Sequence, residues 1–207
     1  MISPRNRVLV KGIDANRWKD RLITPGGFEL FLPTMSVSQT EDIKYVGQVV
    51  SAPSTLSGPR KNDDQVRLSK GDVVVFNYKT MLREPVMEVD GDRVWECDYS
   101  DIFCRVSDNS VFPVGDWVLV SAEKKTIPLG SGLLINPFEE ILHGQGIVYA
   151  LSPFAQDRLQ TTEGAVKPGD RVFFPADQGE FENEILGMKL WCVNASIIFA
   201  SETIQIE

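Results

Sequence analysis

Histidine is almost missing from this chain, cysteine is scarce, and basic residues are outnumbered by acidic ones; each shortage removes a class of function. One histidine, His143, stands among 207 residues. With no second histidine to join it, neither a histidine-based metal site nor a catalytic triad is indicated, and His143, just before a Gly-x-Gly, reads as a loop residue. The three cysteines, Cys97, Cys104 and Cys192, are odd in number and contain no Cys-x-x-Cys pair. That speaks against a disulfide framework and a zinc knuckle, and they read as small core or strand residues. Against 29 acidic residues stand 21 basic ones, a net charge of −8, which opposes non-specific attraction to nucleic acid or anionic lipid. No apolar run approaches the roughly 18 residues of a membrane span. MISPRNRV lacks the apolar region of a signal peptide, so a cytoplasmic location is expected. Phosphate-cradling motifs are missing too: Gly130-Ser131-Gly132 and Gly144-Gln145-Gly146 lack the third glycine and the strand-to-helix context of a dinucleotide site. Asp90 and Asp92 are better explained as a hairpin turn than as a carboxylate pair. Trp95 and Trp191 read as core or interface aromatics. The expectation is a protein that is not an enzyme and carries no cofactor and no metal.

What the chain does contain is strands and turns. RVLVKG (7–12) is a short β-branched run, YVGQVVSAPS (45–54) a second, and LSKGDVVVFNY (68–78) a turn at Lys70-Gly71 leading into four consecutive apolar residues, as in a strand buried on both faces. VMEVDGDRVWEC (86–97) sets Asp90-Gly91 between apolar flanks, a strong hairpin signal, and SDIFCRVS (100–107) follows. No window longer than about ten residues carries helical periodicity, so an all-β class is predicted. One segment stands out. Pro25 to Pro33, PGGFELFLP, places Gly26 and Gly27 before Phe28, Glu29, Leu30, Phe31 and Leu32 inside polar surroundings. Paired glycines free the backbone and flanking prolines resist regular structure, so this strip is either an exposed binding surface or an edge strand.

Beyond Asp108 the same series begins again. DWVLVS (116–121) repeats RVLVKG, GSGLLINP (130–137) repeats GGFELFLP, and GQGIVYALSP (144–153) repeats YVGQVVSAPS. VKPGDRVFFPA (166–176) repeats LSKGDVVVFNY, and LWCVNASIIFASE (190–202) repeats VWECDYSDIFCRVS. The spacing is 110 residues for Val8 and Val118, 99 for Gly47 and Gly146, 98 for Asp72 and Asp170, and 96 for Trp95 and Trp191. The 11-residue drop falls between the first strand and the Gly-containing strand, so the first repeat carries a longer excursion around PGGFELFLP. Five blocks in one order argue for a duplicated domain, 1–108 and 109–207.

The ordered blocks resemble the GroES-type co-chaperonin family: Arg-Val-Leu-Val, then a Gly-Gly-led apolar stretch, then Val-Gly-Gln-Val-Val, Lys-Gly-Asp-Val-Val-Val-Phe and Ser-Asp-Ile-Phe. The likeness runs through both halves. It implies two tandem GroES-like, partly open β-barrels, each with a long mobile loop after its first strand. It further implies a homo-oligomeric ring that caps a GroEL-type, ATP-driven chaperonin, with the glycine-led apolar loop ordering as it docks. Carried onto this sequence, the docking residues are Gly26 to Leu32 in the first repeat and Gly132, Leu133, Leu134 and Ile135 in the second. Aligning Gly27 with Gly132 sets Phe28, Glu29 and Leu30 opposite Leu133, Leu134 and Ile135. The charged Glu29 departs from the apolar pattern, so either the register slips to Leu30, Phe31 and Leu32 or this loop meets a different surface. The polar stretches 54–67 and 153–166 occupy the place of the family's roof hairpin.

A loop that orders on binding loses on the order of 2–5 kcal/mol to conformational entropy, which burial of three large apolar side chains at roughly 1.5–3 kcal/mol each offsets. Several weak loops on one ring add avidity while leaving release possible. Two domains per chain do not divide a sevenfold partner evenly, so a ring using one loop from each chain is one arrangement. Medium-chain dehydrogenases also contain a GroES-like domain, but zinc-ligand cysteines and a Rossmann half are missing here. The rival reading is a non-catalytic ring-forming structural or adaptor protein, for example viral, that reuses the barrel.

Overall fold

Short β-branched runs build the first sheet, most of them buried over consecutive residues and one, VGQVVS (46–51), in strict alternation. The computed structural model describes residues 6–12, 21–23, 29–31, 46–56, 68–108, 110–127, 138–161, 164–175 and 181–203. Two compact units divide the chain, Met1–Ser110 and Val111–Glu207. The strands from the N-terminus are β1 (Arg7–Gly12), β2 (Arg21–Ile23), β3 (Glu29–Phe31), β4 (Val46–Ser51), β5 (Val73–Phe76), β6 (Met87–Val89), β7 (Asp92–Asp98), β8 (Ile102–Ser107) and β9 (Ser110–Pro113). Their main sheet runs β6-β7-β1-β4-β5-β8-β9, while β2 and β3 form a separate two-stranded sheet. Val8, Val10, Val49, Val74, Phe76 and Val94 are fully buried in this unit, each large side chain contributing about 1.5–3 kcal/mol of apolar burial.

In the second unit the order is β10 (Trp117–Ile127), β11 (Phe138–Leu151), the short helix α1 (Pro153–Arg158), β12 (Gln160–Thr161), β13 (Gly164–Ala165), β14 (Arg171–Phe173), β15 (Phe181–Ile185), β16 (Met188–Asn194) and β17 (Ala200–Glu202). The main sheet is β15-β16-β10-β11-β14-β17, with β12 and β13 paired on their own. Its core gathers Val118, Val120, Val148, Val172, Phe174 and Trp191. Phe174 and Trp191 meet edge to face with ring centroids 6.1 Å apart.

The two sheets agree strand for strand: β6-β7-β1-β4-β5-β8 has the order of β15-β16-β10-β11-β14-β17. Register agrees as well. Val10 faces Trp95 as Val120 faces Trp191, Gly47 faces Val74 as Gly146 faces Val172, and Val73 faces Val106 as Arg171 faces Glu202. Even an irregularity recurs, between Leu9 and Val10 and again between Leu119 and Val120. The Gly-Asp turns are superimposable in their bonding. Gly71 N–H donates to Val49 O and Gly169 N–H to Val148 O, both at 2.8 Å. Asp72 accepts from Ser69 N–H at 2.8 Å and Asp170 from Lys167 N–H at 3.0 Å. Both glycines hold φ near +95°, at 96° and 95°, the region that favours glycine.

The all-β class holds, with two qualifications. Both main sheets are open antiparallel sheets and not closed barrels: the order ends on β6 and β9 in one and on β15 and β17 in the other. Helix α1 was not expected. Ser152 caps it, its hydroxyl accepting from Ala155 N–H at 2.9 Å and donating to the Gly115 carbonyl, and a proline opens the first turn. The stretch 153–166, in the place of the family's roof hairpin, holds this helix followed by the short antiparallel pair β12–β13. Its equivalent, 54–67, lies largely outside the described residues.

Candidate docking arms

In the second unit the first strand does not end where the repeat in the sequence suggested. β10 runs on to Ile127 and pairs with the beginning of β11, so that Lys124 faces Ile141, Lys125 faces Glu140, Thr126 faces Glu139 and Ile127 faces Phe138. This paired stem carries residues 128–137 between its two strands. Gly132, Leu133, Leu134 and Ile135 fall in that interval and lie outside the described residues. A paired β-stem thus leads into the place of the loop expected after the first strand, and that connection, residues 128–137, lies outside the described residues.

The stem departs from the sheet at a break in register between Ala122, which faces Gly146, and Lys124, which faces Ile141. Glu123 stands alone at the break, opposite the residues that β11 inserts there. Among these, Gly144 has φ of 78° and accepts a hydrogen bond from Phe174 N–H at 2.9 Å. Glu123 is held from two sides. Arg171 on β14 donates through Nε to Oε2 at 2.8 Å and through Nη2 to Oε1 at 2.7 Å, a two-pronged bond, and Gln145 Nε2 donates to Oε2 at 3.1 Å. Arg171 Nη1 also reaches Glu202 Oε2 on β17 at 3.0 Å. The hydrogen bonds to Glu123 and Glu202 push the guanidinium pKa up, so the charge is permanent. A row of charge therefore links β10, β14 and β17 at the base of the stem, and two-pronged arginine–carboxylate bonds are among the stronger and more directional polar contacts.

The described residues of the first unit show no such row. By the repeat spacing, Gln145, Arg171 and Glu202 correspond to Val46, Val73 and Val106, all half-buried, and Glu123 corresponds to Ile13, outside the described residues. Pairing of β1 with β4 is described as far as Gly12 opposite Gly47. Beyond it comes the separate hairpin, with Arg21 opposite Phe31, Leu22 opposite Leu30 and Ile23 opposite Glu29. Glu29, Leu30 and Phe31 are therefore strand residues of β3, in line with the edge-strand alternative for this stretch. Gly26, Gly27, Phe28 and Leu32 lie outside the described residues.

The remaining candidates are structural. Cys97, Cys104 and Cys192 are buried, and burial pushes the Cys97 thiol up to about 12 despite a bond from the Thr80 hydroxyl. Trp95 and Trp191 are buried at equivalent positions, and Trp95 Nε1 donates to the Arg83 carbonyl at 3.1 Å. Asp90-Gly91 forms the expected turn with φ of 55° and 84°, and Leu186-Gly187 forms its counterpart with 51° and 79°. His143 is a residue of β11 and not of a loop. Among the described residues no group of three or more His, Cys, Asp or Glu is arranged to hold a metal ion. No helix among them is long and apolar enough to cross a membrane. Sequence reading missed Glu123, Arg171 and Glu202, because nothing in their spacing signals a contact made across strands.

A search of curated proteins finds no match to the chain. A family model does match, that of Cpn10, described as chaperonin 10 Kd subunit, over residues 110–201. The matched span takes in the stem, Glu123, Gln145 and Arg171, and all of the second unit's main sheet except Glu202 at the end of β17. Residues 110–201 are a Cpn10 domain, GroES-like in its all-β fold.

Proposed function

We propose that this chain is a co-chaperonin built from two GroES-like domains, 1–108 and 109–207, that assembles into a homo-oligomeric ring in the cytoplasm and caps a GroEL-type chaperonin. The observation that carries the reading is the Cpn10 domain at residues 110–201. The common strand order and register of the two units support extending it to the first half. In this reading ATP is bound and hydrolysed by the partner, and the chain performs no catalysis of its own. Gly132, Leu133, Leu134 and Ile135 make the apolar docking contact. Gly26 to Leu32 hold the corresponding place in the first unit, with Glu29 setting them apart.

Docking of three apolar residues per loop is weak singly and strong when several loops act on one ring. Replacing Leu134 with Asp puts a charge into the buried contact and should abolish capping, whereas Phe28→Asp should leave capping largely intact. The measurement is native mass spectrometry of the chain mixed with a GroEL-type chaperonin, with and without ATP. Equal loss from both substitutions would remove the distinction between the loops. Stable rings of the wild-type chain that never bind chaperonin would instead favour a ring-forming structural or adaptor protein.

A further inference from the structure

We propose that Arg171 is a positioning residue of the second unit's arm: by gripping Glu123 with two bonds and Glu202 with a third, it fixes the angle and stiffness with which the β10–β11 stem leaves the sheet. The inference concerns the stem itself and rests on the proposed docking function only in giving that stiffness a use.

Four observations converge on it. Glu123 sits at the second of two places where β10 and β11 lose register, the one at the foot of the stem, between Ala122 opposite Gly146 and Lys124 opposite Ile141. An irregularity of this kind leaves a bend whose angle the backbone ladder alone does not determine. Glu123 is also where the polar contacts concentrate: both its oxygens accept from Arg171, and Oε2 accepts from Gln145 as well. Gln145 lies within the inserted stretch of β11, so the carboxylate ties both strands of the bend together. Arg171 is anchored behind by β14, paired to β11 through Ile147 and to β17 through Glu202. The side chains of Glu123 and Arg171 retain 19% and 29% of their exposure, against 58% for Glu202. The Arg171–Glu123 bond is therefore the sheltered member of the cluster and the less screened by salt.

The first unit provides the internal control. Its sheet has the same order and register, yet Val46, Val73 and Val106 stand where Gln145, Arg171 and Glu202 stand in the second. There, among the described residues, the hairpin β2–β3 is a sheet of its own. A charged row accompanies the continuous stem, and an apolar row accompanies the separate hairpin. An apolar row serves to bury surface, which is non-directional. A forked arginine between two carboxylates also specifies direction.

The experiment is amide hydrogen exchange on the full chain, followed over Lys124–Ile127 and Phe138–Ile141 in the stem and over Val118–Val120 in the sheet. Arg171→Met removes the fork while keeping an unbranched stem. It should raise exchange in the stem by about tenfold or more, the scale of a lost charge-assisted hydrogen bond, with little change at Val118–Val120. Arg171→Lys keeps the charge but cannot bridge both Glu123 oxygens and Glu202, and should give a smaller rise confined to the same amides. If Arg171→Met fails to fold, Arg171→Lys alone decides the matter. Stem exchange equal to wild type in the folded variants, or a rise spread evenly over the sheet, would overturn the proposal. Because exchange is read on the free chain, failure of the chain to bind a chaperonin would sink the functional reading and leave this one standing. Should binding hold, Arg171→Met should weaken it while leaving ring mass unchanged.

Discussion

The two arms start from equivalent pairs of strands, and their described parts differ. In the second unit, β10 and β11 continue as a paired stem to Ile127 and Phe138, past a bend clamped by Arg171. In the first, the pairing of β1 and β4 is described to Gly12 and Gly47, and the apolar segment Glu29–Phe31 belongs to a hairpin that forms its own sheet. The sheets beneath share strand order, much of their register and an irregularity, so the difference in strand layout lies in what the sheet carries. A sheet's order and register are over-determined by its buried face, because a one-residue slip would turn every apolar side chain outward. An excursion from its edge has no such constraint and is free to change length and role.

The comparison can be broken most easily at a pair of phenylalanines. Phe103 on β8 and Phe199 just before β17 occupy equivalent positions by the repeat spacing, but Phe103 is 1% exposed and Phe199 73%. Phe103→Ala should destabilise the first unit by about 3–5 kcal/mol, whereas Phe199→Ala should change stability by less than about 0.5 kcal/mol. Denaturant unfolding at several protein concentrations checks both. A large, concentration-dependent loss from Phe199→Ala would mean that Phe199 is covered in solution, and the asymmetry would vanish.

A second pair tests how far the sheets are truly alike. A Cβ on Gly146 would lie 2.5 Å from both Ser121 O and Val120 Cγ1, and one on Gly47 would lie 2.8 Å from Lys11 O and Phe76 Cε1. Both contacts involve backbone that cannot swing away. Alanine at either position should cost on the order of 1–3 kcal/mol, with Gly146→Ala the costlier. Thermal unfolding of the two variants ranks them, and a tolerated alanine at either site would show that β4 or β11 sits farther from its neighbour than described.

Much of the sheet was legible in the sequence because its signals are local. Lys70-Gly71-Asp72 and Pro168-Gly169-Asp170 mark turns that need a glycine at positive φ, and Asp90-Gly91 marks a hairpin for the same reason. Its counterpart Leu186-Gly187 gives no such signal, because leucine rarely adopts positive φ, and β15, which leads into it, is equally unmarked. Helix α1 spans six residues, too few for a period to register, and its signal was the Ser152-Pro153 cap. The stem carries no strand signal, because AEKKTI and FEEILHG mix charge and apolar residues without strict alternation. The clamp was not legible at all, since Glu123, Arg171 and Glu202 are brought together by strand order alone.

Alkaline pH offers a third handle, since the thiols are unevenly distributed. Cys97 and Cys104 of the first unit correspond to Val193 and Ala200 of the second. Burial, partly countered by the Thr80 hydroxyl, raises Cys97 from an ordinary value near 9 to about 12, and complete burial raises Cys104 also. A folded pKa above the unfolded one means that the contribution is fully present below pH 9 and is lost as pH rises through the folded value. Between those limits the unfolded chain releases a proton that the folded chain keeps. Each thiol then removes at most about 1.4 kcal/mol of stability per pH unit. Hydrogen exchange from pH 9 upward should show the first unit loosening before the second. Cys97→Val, which installs the second unit's residue, should shallow that slope for the first unit, and an unchanged slope would assign the loss to other groups.

The smallest effect sharpens the comparison of the arms. The first unit has an ion pair near its own excursion, Lys11 Nζ to Asp92 Oδ2 at 3.0 Å, with the side chains 34% and 46% exposed. Superficially it resembles Arg171 with Glu123. It differs in being one-pronged, in joining the sheet edge-on to a hairpin turn, and in standing largely in solvent, where such pairs contribute about 0–1 kcal/mol and weaken with salt. Lys11→Met should therefore lower stability by less than about 0.5 kcal/mol and leave exchange in Arg21–Ile23 and Glu29–Phe31 unchanged. If it loosened that hairpin as Arg171→Met is expected to loosen the stem, charge at the base would govern both arms, and the valine row of the first unit could no longer explain why they differ.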